Sequence, residues 1–215
     1  MELIARWFLY FIIYSMLGYV FEVLYCFIYD RKIHNRGFLF GPVCPIYGCG
    51  MISVLLAYQW LGWPWWATFL MVIALCDIIE YSTSFLMEKL FHVRWWDYSK
   101  TTKFNLNGRI ALETSVLFGL GGLMVIYLIQ PVVAGLVGGL SPMMTISLAV
   151  VSLVILLADT LFSTLAATAI KKEVVSGAKI SSVPEIKKFN RDYYRKHNRM
   201  ERKTTRKAKR VAKRG

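Results

Sequence analysis

The chain has little of what soluble catalysts carry. Its 215 residues hold only 3 His, and none falls inside an apolar stretch. H-E-x-x-H and G-x-S-x-G are both absent, which removes the common zinc-hydrolase and serine-hydrolase signatures. No G-x-x-x-x-G-K-[ST] occurs, so the chain cannot bind ATP in the P-loop way. Cysteines number 4: Cys26, Cys44, Cys49 and Cys76. Cys44 and Cys49 have four residues between them, not the C-x-x-C of a redox or zinc motif, so small buried hydrophobes are the reading for the set. Neither a metal nor a cofactor is expected. Acidic residues are few as well, 13 Asp+Glu against 26 Lys+Arg.

What fills the chain is apolar surface. Hydrophobic residues make up 56% of it, and the mean hydropathy is +0.47. That is too apolar for a soluble domain of this size. Several uninterrupted windows reach the roughly 20 residues that a helix needs to cross the hydrocarbon core. The expected fold class is therefore an all-α membrane protein, a bundle of about five transmembrane helices at 3–29, 44–62, 65–90, 109–129 and 143–170. The first stretch is too long for a signal-peptide core and no small-residue cleavage site follows it, so it counts as a span. Two units are expected: a transmembrane domain over 1–170 and a tail over 171–215.

Charge is divided sharply between those units. Residues 171–215 hold 17 Lys+Arg and 4 Asp+Glu, and residues 1–170 hold 9 of each. Basic residues also alternate between loops. Arg31, Lys32, His34 and Arg36 follow the first span, and Arg94, Lys100 and Lys103 follow the third. The Gly62-Trp63-Pro64 turn and the Gly-rich Gln130–Met144 link carry none. The positive-inside rule then sets both basic loops and the tail in the cytoplasm and the N-terminus outside, in a multi-pass protein of the cell membrane. Trp7, Trp60, Trp63, Trp65 and Trp66 form the outer aromatic belt, with Trp95 and Trp96 near the inner one. The tail is expected as a partly helical or disordered arm. Its charge suits anionic inner-leaflet lipid better than nucleic acid, because the arm lacks an aromatic-interleaved platform.

Against this background five acids stand out inside the spans: Glu22, Asp77, Glu80, Glu113 and Asp159. A carboxylate at the bilayer centre costs about 2.5–3.5 kcal/mol on insertion scales, so such residues usually have a use. Asp77, Glu80, Ser84 and Glu88 share one helical face, within an arc of roughly 80°. Tyr14, Gly18, Glu22, Tyr25 and Tyr29 form a second stripe, and Ser152, Asp159 and Ser163 a third. Arg109 and Glu113 read as an i,i+4 pair at the start of the fourth span. Together these imply a polar pocket open to the cytoplasm, with Arg36 and Arg109 as counter-charges. Hydrogen-bonded packing of the acids is the plainer alternative.

The two basic loops are unusual. Residues 36–50 hold four Gly and two Pro, and Pro42 and Pro45 resist a regular helix. Either the segment re-enters the membrane, where irregular backbone must line a cavity or be buried in protein, or it is a tight turn with Pro opening the helix. Re-entry would turn the amides at the start of the second span toward the pocket, where they suit an anion. The second loop gathers Asp97, Asn105, Asn107 and Arg109 close to the carboxylates.

The strings Arg36-Gly37-Phe38-Leu39, Gly41-Pro42-Val43-Cys44-Pro45-Ile46-Tyr47-Gly48, Trp95-Trp96-Asp97-Tyr98-Ser99 and Asn107-Gly108-Arg109-Ile110 carry a resemblance. Over roughly residues 5–165 the chain resembles the ABC-transporter type IV family of CmpB-like membrane proteins. The resemblance implies a small multi-span bacterial permease-type component. If it works in an ATP-driven machine, a separate ATPase subunit must hydrolyse the nucleotide. The expected function is transport through a pocket of Glu22, Arg36, Asp77, Glu80, Glu88, Asp97, Asn107, Arg109 and Glu113. A membrane-embedded enzyme acting on a lipid or lipid-linked substrate, with Arg36 and Arg109 to hold a phosphate, and a membrane scaffold or regulatory subunit are the alternatives. A homodimer is compatible with so small a bundle.

Overall fold

In a computed structural model, residues 1–30, 37–91, 94–100 and 102–175 are described. They form α1 (Glu2–Asp30), α2 (Pro45–Leu61), α3 (Trp65–Phe91), a two-stranded antiparallel hairpin of β1 (Asn105–Leu106) and β2 (Ile110–Ala111), α4 (Leu112–Met124), α5 (Gln130–Gly138) and α6 (Pro142–Val175). A π-helical turn, Val125–Ile129, joins α4 to α5 into one rod. Four stretches are long and apolar enough to cross a membrane: Glu2–Leu24, Trp65–Phe91, Leu112–Gly138 and Pro142–Thr168. The all-α membrane bundle expected from the sequence is what forms, with α2 as a shorter fifth apolar helix of 17 residues.

The helices meet through glycine. An ideal Cβ on Gly18 would lie 2.2 Å from the Tyr47 ring, and one on Gly48 would lie 2.7 Å from the Phe11 carbonyl, so α1 and α2 touch backbone to side chain. Gly119 and Gly122 do the same for α4 against Phe69 and Val72 of α3. Lipid tails are as apolar as leucine, so close approach of this kind drives association where a hydrophobic effect between helices is missing. α1 also packs on α6, and α2 on α3. The core so formed includes Tyr14, Val54, Leu55, Val72, Ile126 and Val133. Tyr14 donates its hydroxyl to the Gln130 side chain across it.

Two expectations change. The Gly-rich Gln130–Met144 link is mostly helix, and only Gly139, Leu140 and Ser141 separate α5 from α6. Pro131 reads as a breaker because it lacks an N–H. The π turn just ahead already lets Gln130 donate five residues back to Val125, so the rod absorbs the missing bond. The last helix also continues to Val175, past the expected boundary at 170. The tail beyond it lies outside the described residues, as do Arg31, Lys32, His34 and Arg36.

Trp60 is 86% exposed, and Trp63, Trp65 and Trp66 are exposed beside it at the α2–α3 turn, as a belt residue at the headgroup level would be. The inner pair behaves differently. Trp95 packs on Phe38 and Phe91, and Trp96 donates its indole N–H to the Arg109 carbonyl at 2.8 Å.

Gly48→Ala forces a methyl against the Phe11 backbone and is expected to cost about 1–3 kcal/mol, as overpacking does. Gly121→Ala, with nothing near its Cβ, serves as the control. Thermal unfolding in detergent should show a lowered Tm for the first and no loss for the second.

Candidate functional site

The segment over 37–44 leaves helical geometry yet stays inside the protein. Leu39 is only 1% exposed, and Cys44 donates its amide to the Ser15 carbonyl at 3.0 Å. Ser15 lies 15 residues before the end of α1, about 22 Å along it at 1.5 Å per residue. Backbone groups packed against the middle of a helix bundle need partners from the protein. Asp159 of α6 supplies them. Its Oδ1 accepts from Phe40 N at 2.9 Å and its Oδ2 from Gly41 N at 2.8 Å, while Ser163 donates to Oδ1 at 3.1 Å. An ideal Cβ on Gly41 would fall 2.8 Å from the same carboxylate, so glycine permits the approach. The amides that hold a carboxylate are thus those of Phe40 and Gly41, ahead of α2 and not at its start, and the carboxylate is the chain's own Asp159.

The second irregular segment, over 94–111, folds back in the same way. Asn107 and Gly108 adopt φ of 54° and 68°, and Arg109 N–H returns to Leu106 O at 3.0 Å. This is the mirror-image turn that Asn-Gly favours. Gly108 is required twice over, since an ideal Cβ would meet Asp97 Oδ1 at 2.2 Å. Asp97 Oδ1 also accepts from Ser99 N at 3.0 Å. Tyr98 N donates to Gly108 O at 2.8 Å, and Leu112 N to Phe104 O at 3.0 Å. Phe38 packs on Phe91 and Trp95, so the two segments touch.

Arg109 clamps this second segment to α3. It is 8% exposed. Its Nη2 lies 2.7 Å from Glu88 Oε2, its Nη1 donates to Ser84 Oγ at 3.2 Å, and its guanidinium sits 5.5 Å from the centres of both Tyr81 and Phe85. Arg94 Nε joins Glu88 Oε2 at 2.9 Å and its Nη1 donates to Asn107 O at 3.2 Å. Asn107 Nδ2 donates to Tyr81 OH at 3.1 Å. The expected Arg109–Glu113 pair does not form. The helix begins only at Leu112, so the two residues never share a helical face, and Glu113 is exposed in the first turn of α4. There a carboxylate is favoured by the helix dipole.

The remaining acids form a different group. Tyr47 of α2 donates its hydroxyl to Glu22 Oε2 at 2.8 Å. Tyr98 donates to Glu80 Oε1 at 3.0 Å. Ser115 of α4 lies 2.8 and 2.9 Å from the two oxygens of Asp77. Glu80 is 6% exposed, and its Oε2 is buried with no hydrogen-bond partner among the described residues. Glu22 and Asp77 both act on it electrostatically. Burial, then the nearby Glu80, pushes the Tyr98 phenol up from its ordinary range, so it remains a donor at any ordinary pH. Among the described residues, neither Asp77 nor Glu80 has an ion-pair partner, and no group of three His, Cys, Asp or Glu is placed to hold a metal. Arg109, expected as their counter-charge, is turned to Glu88 instead.

Beside Asp77 and Ser115 a groove of about 390 Å³ opens between the hairpin and the start of α4. Phe104, Asn105, Leu106, Ile110, Ala111 and Leu112 complete its lining. Of the residues expected at the site, Glu22, Asp77 and Glu80 come together. Glu88, Asp97, Asn107 and Arg109 form the clamp, and Glu113 stands apart. Tyr47, Tyr98 and Ser115, which hold the three acids, were not anticipated from the sequence, and neither was the part played by Asp159.

A family model described as "Putative ABC-transporter type IV" matches residues 9–164, a stretch from α1 to α6 that includes both inner segments. No curated protein and no solved structure matches the chain. With four helices able to cross a bilayer, the chain is a multi-pass membrane protein of transporter type.

Glu88, a third exposed, pairs with the nearly buried Arg109. Glu88→Met is expected to cost about 1–2 kcal/mol, and Glu88→Met with Arg109→Met to recover part of it, Arg94 still being left without its partner. A double-mutant cycle by unfolding in bicelles measures this. Additive losses would mean that the pair is not the clamp.

Proposed function

We propose, since the chain belongs to the family described as putative ABC-transporter type IV, that Glu22, Asp77 and Glu80 form the working pocket of a permease-type membrane transporter. The observation that carries this reading is the buried, unpartnered Oε2 of Glu80. A polar atom left so costs free energy, and intramembrane carboxylates of this kind mark ion, proton or substrate pathways. Tyr47, Tyr98 and Ser115 hold the acids in place from three different elements.

In this reading both inner segments and the C-terminal tail face the cytoplasm, the N-terminus lies outside, and the protein resides in the cell membrane. The basic tail rests on anionic lipid, and a separate ATPase subunit supplies any nucleotide hydrolysis. A homodimer is compatible with the exposed faces of α6. The clamp formed by Glu88, Asp97, Asn107 and Arg109 shapes the pocket from outside it. Arg36, Glu113 and the tail join this proposal only as cytoplasmic surface. The transport reading is favoured over a lipid-phosphate enzyme by the commitment of both Arg94 and Arg109 to Glu88, which leaves neither to hold a phosphate.

Proton movement into liposomes, read by trapped pyranine, tests the pocket. Glu80→Gln and Glu22→Gln should each lower the flux by about tenfold or more, a loss above about 1.4 kcal/mol. Glu113→Gln should leave it unchanged. Equal flux in all three variants, or loss that tracks only a lowered Tm, contradicts the reading.

A further inference from the structure

The groove beside Asp77 has a chemistry that the transport pocket alone does not require. Phe104, Leu106, Ile110, Ala111 and Leu112 give it a mainly apolar lining, and Asp77, Asn105 and Ser115 give it polar groups. Phe104 is 70% exposed, and Leu106 and Leu112 are exposed too. Apolar side chains thus line the approach, and a carboxylate waits at the end of it. Ser115 has a single proton to give, and its oxygen also lies 3.0 Å from the Ala111 carbonyl. At least one Asp77 oxygen therefore has no donor from this serine.

The charge at the floor is uncompensated among the described residues. Asp77 has no ion-pair partner there, and the one side-chain hydrogen bond it accepts comes from the neutral Ser115 hydroxyl. Arg94 and Arg109 are held by Glu88, and Lys103 is exposed. An anion would meet repulsion at this floor. A neutral apolar molecule would leave the carboxylate unanswered. At about 390 Å³ and open on one side, the groove has room for part of a small organic molecule against the protein.

We infer that this groove binds an amphipathic organic cation, its apolar body between the hairpin and α4 and its positive centre against Asp77. The inference rests on the transport reading for why such a cation is taken up, and names the substrate class of that pocket. The binding step stands by itself.

The test uses the full-length protein in nanodiscs, with radiolabelled tetraphenylphosphonium as the probe and tetraphenylborate as a probe of like shape and opposite charge. Saturable binding of the cation is expected, weakened about tenfold or more in Asp77→Asn and kept in Asp77→Glu. Leu112→Trp fills the groove while leaving the carboxylate, and should also abolish binding. Should Asp77→Asn fail to fold, the Leu112→Trp result decides in its place. Equal binding of the borate, or undiminished binding by Asp77→Asn or Leu112→Trp, overturns the inference. Cation binding without pyranine-reported flux contradicts the transport reading and leaves this site standing. Flux without saturable cation binding does the reverse.

Discussion

Backbone amides and carbonyls that leave a helix inside a bilayer must find partners within the protein. Both irregular segments of this fold, 37–44 and 94–111, pack against the long helices, and both find partners by recruiting groups from them. Asp159 reaches out of α6 to the amides of Phe40 and Gly41. Ser15 offers its carbonyl to Cys44. Arg109 carries the hairpin onto α3 through Glu88 and Ser84. Without these bonds neither segment could lie against the bundle, and neither Tyr47 nor Tyr98 would reach its acid.

This constraint sorts the intramembrane acids by what they hold. Asp159 and Glu88 accept from several donors of the folded-back segments, so their cost of insertion is offset by the backbone and guanidinium groups they satisfy. Asp77 and Glu80 are held by one hydroxyl each, and no cation balances them among the described residues. That difference in partners, more than depth or helical face, separates scaffold from candidate pocket.

Much of the fold was legible in the sequence because it follows from long apolar runs. α1 and α3 fall within one residue of their expected limits, and the resemblance in residues 36–48 and 95–110 agrees with the family match. Helical periodicity also found Glu22, Asp77 and Glu80. It failed where neighbours decide. Arg109 looked helical with Glu113 because spacing alone cannot tell that Asn107-Gly108 turns the chain and delays the helix to Leu112. That dipeptide was the available signal. The Gly-rich Gln130–Met144 stretch looked like a link because the π turn that carries the helix on through it is visible only in three dimensions. Asp159 read as part of a stripe with Ser163, which it does meet, but the amides it holds lie 118 and 119 residues away.

Amide hydrogen exchange of the protein in lipid nanodiscs tests the central claim most directly, that both inner segments are bonded into the bundle. The account predicts strong protection at Phe40, Gly41 and Cys44, and at Tyr98, Arg109 and Leu112, comparable with the helix ends beside them. Exchange at free-loop rates in both segments would contradict it, because an unbonded segment could neither bury Leu39 nor bring Tyr98 to Glu80.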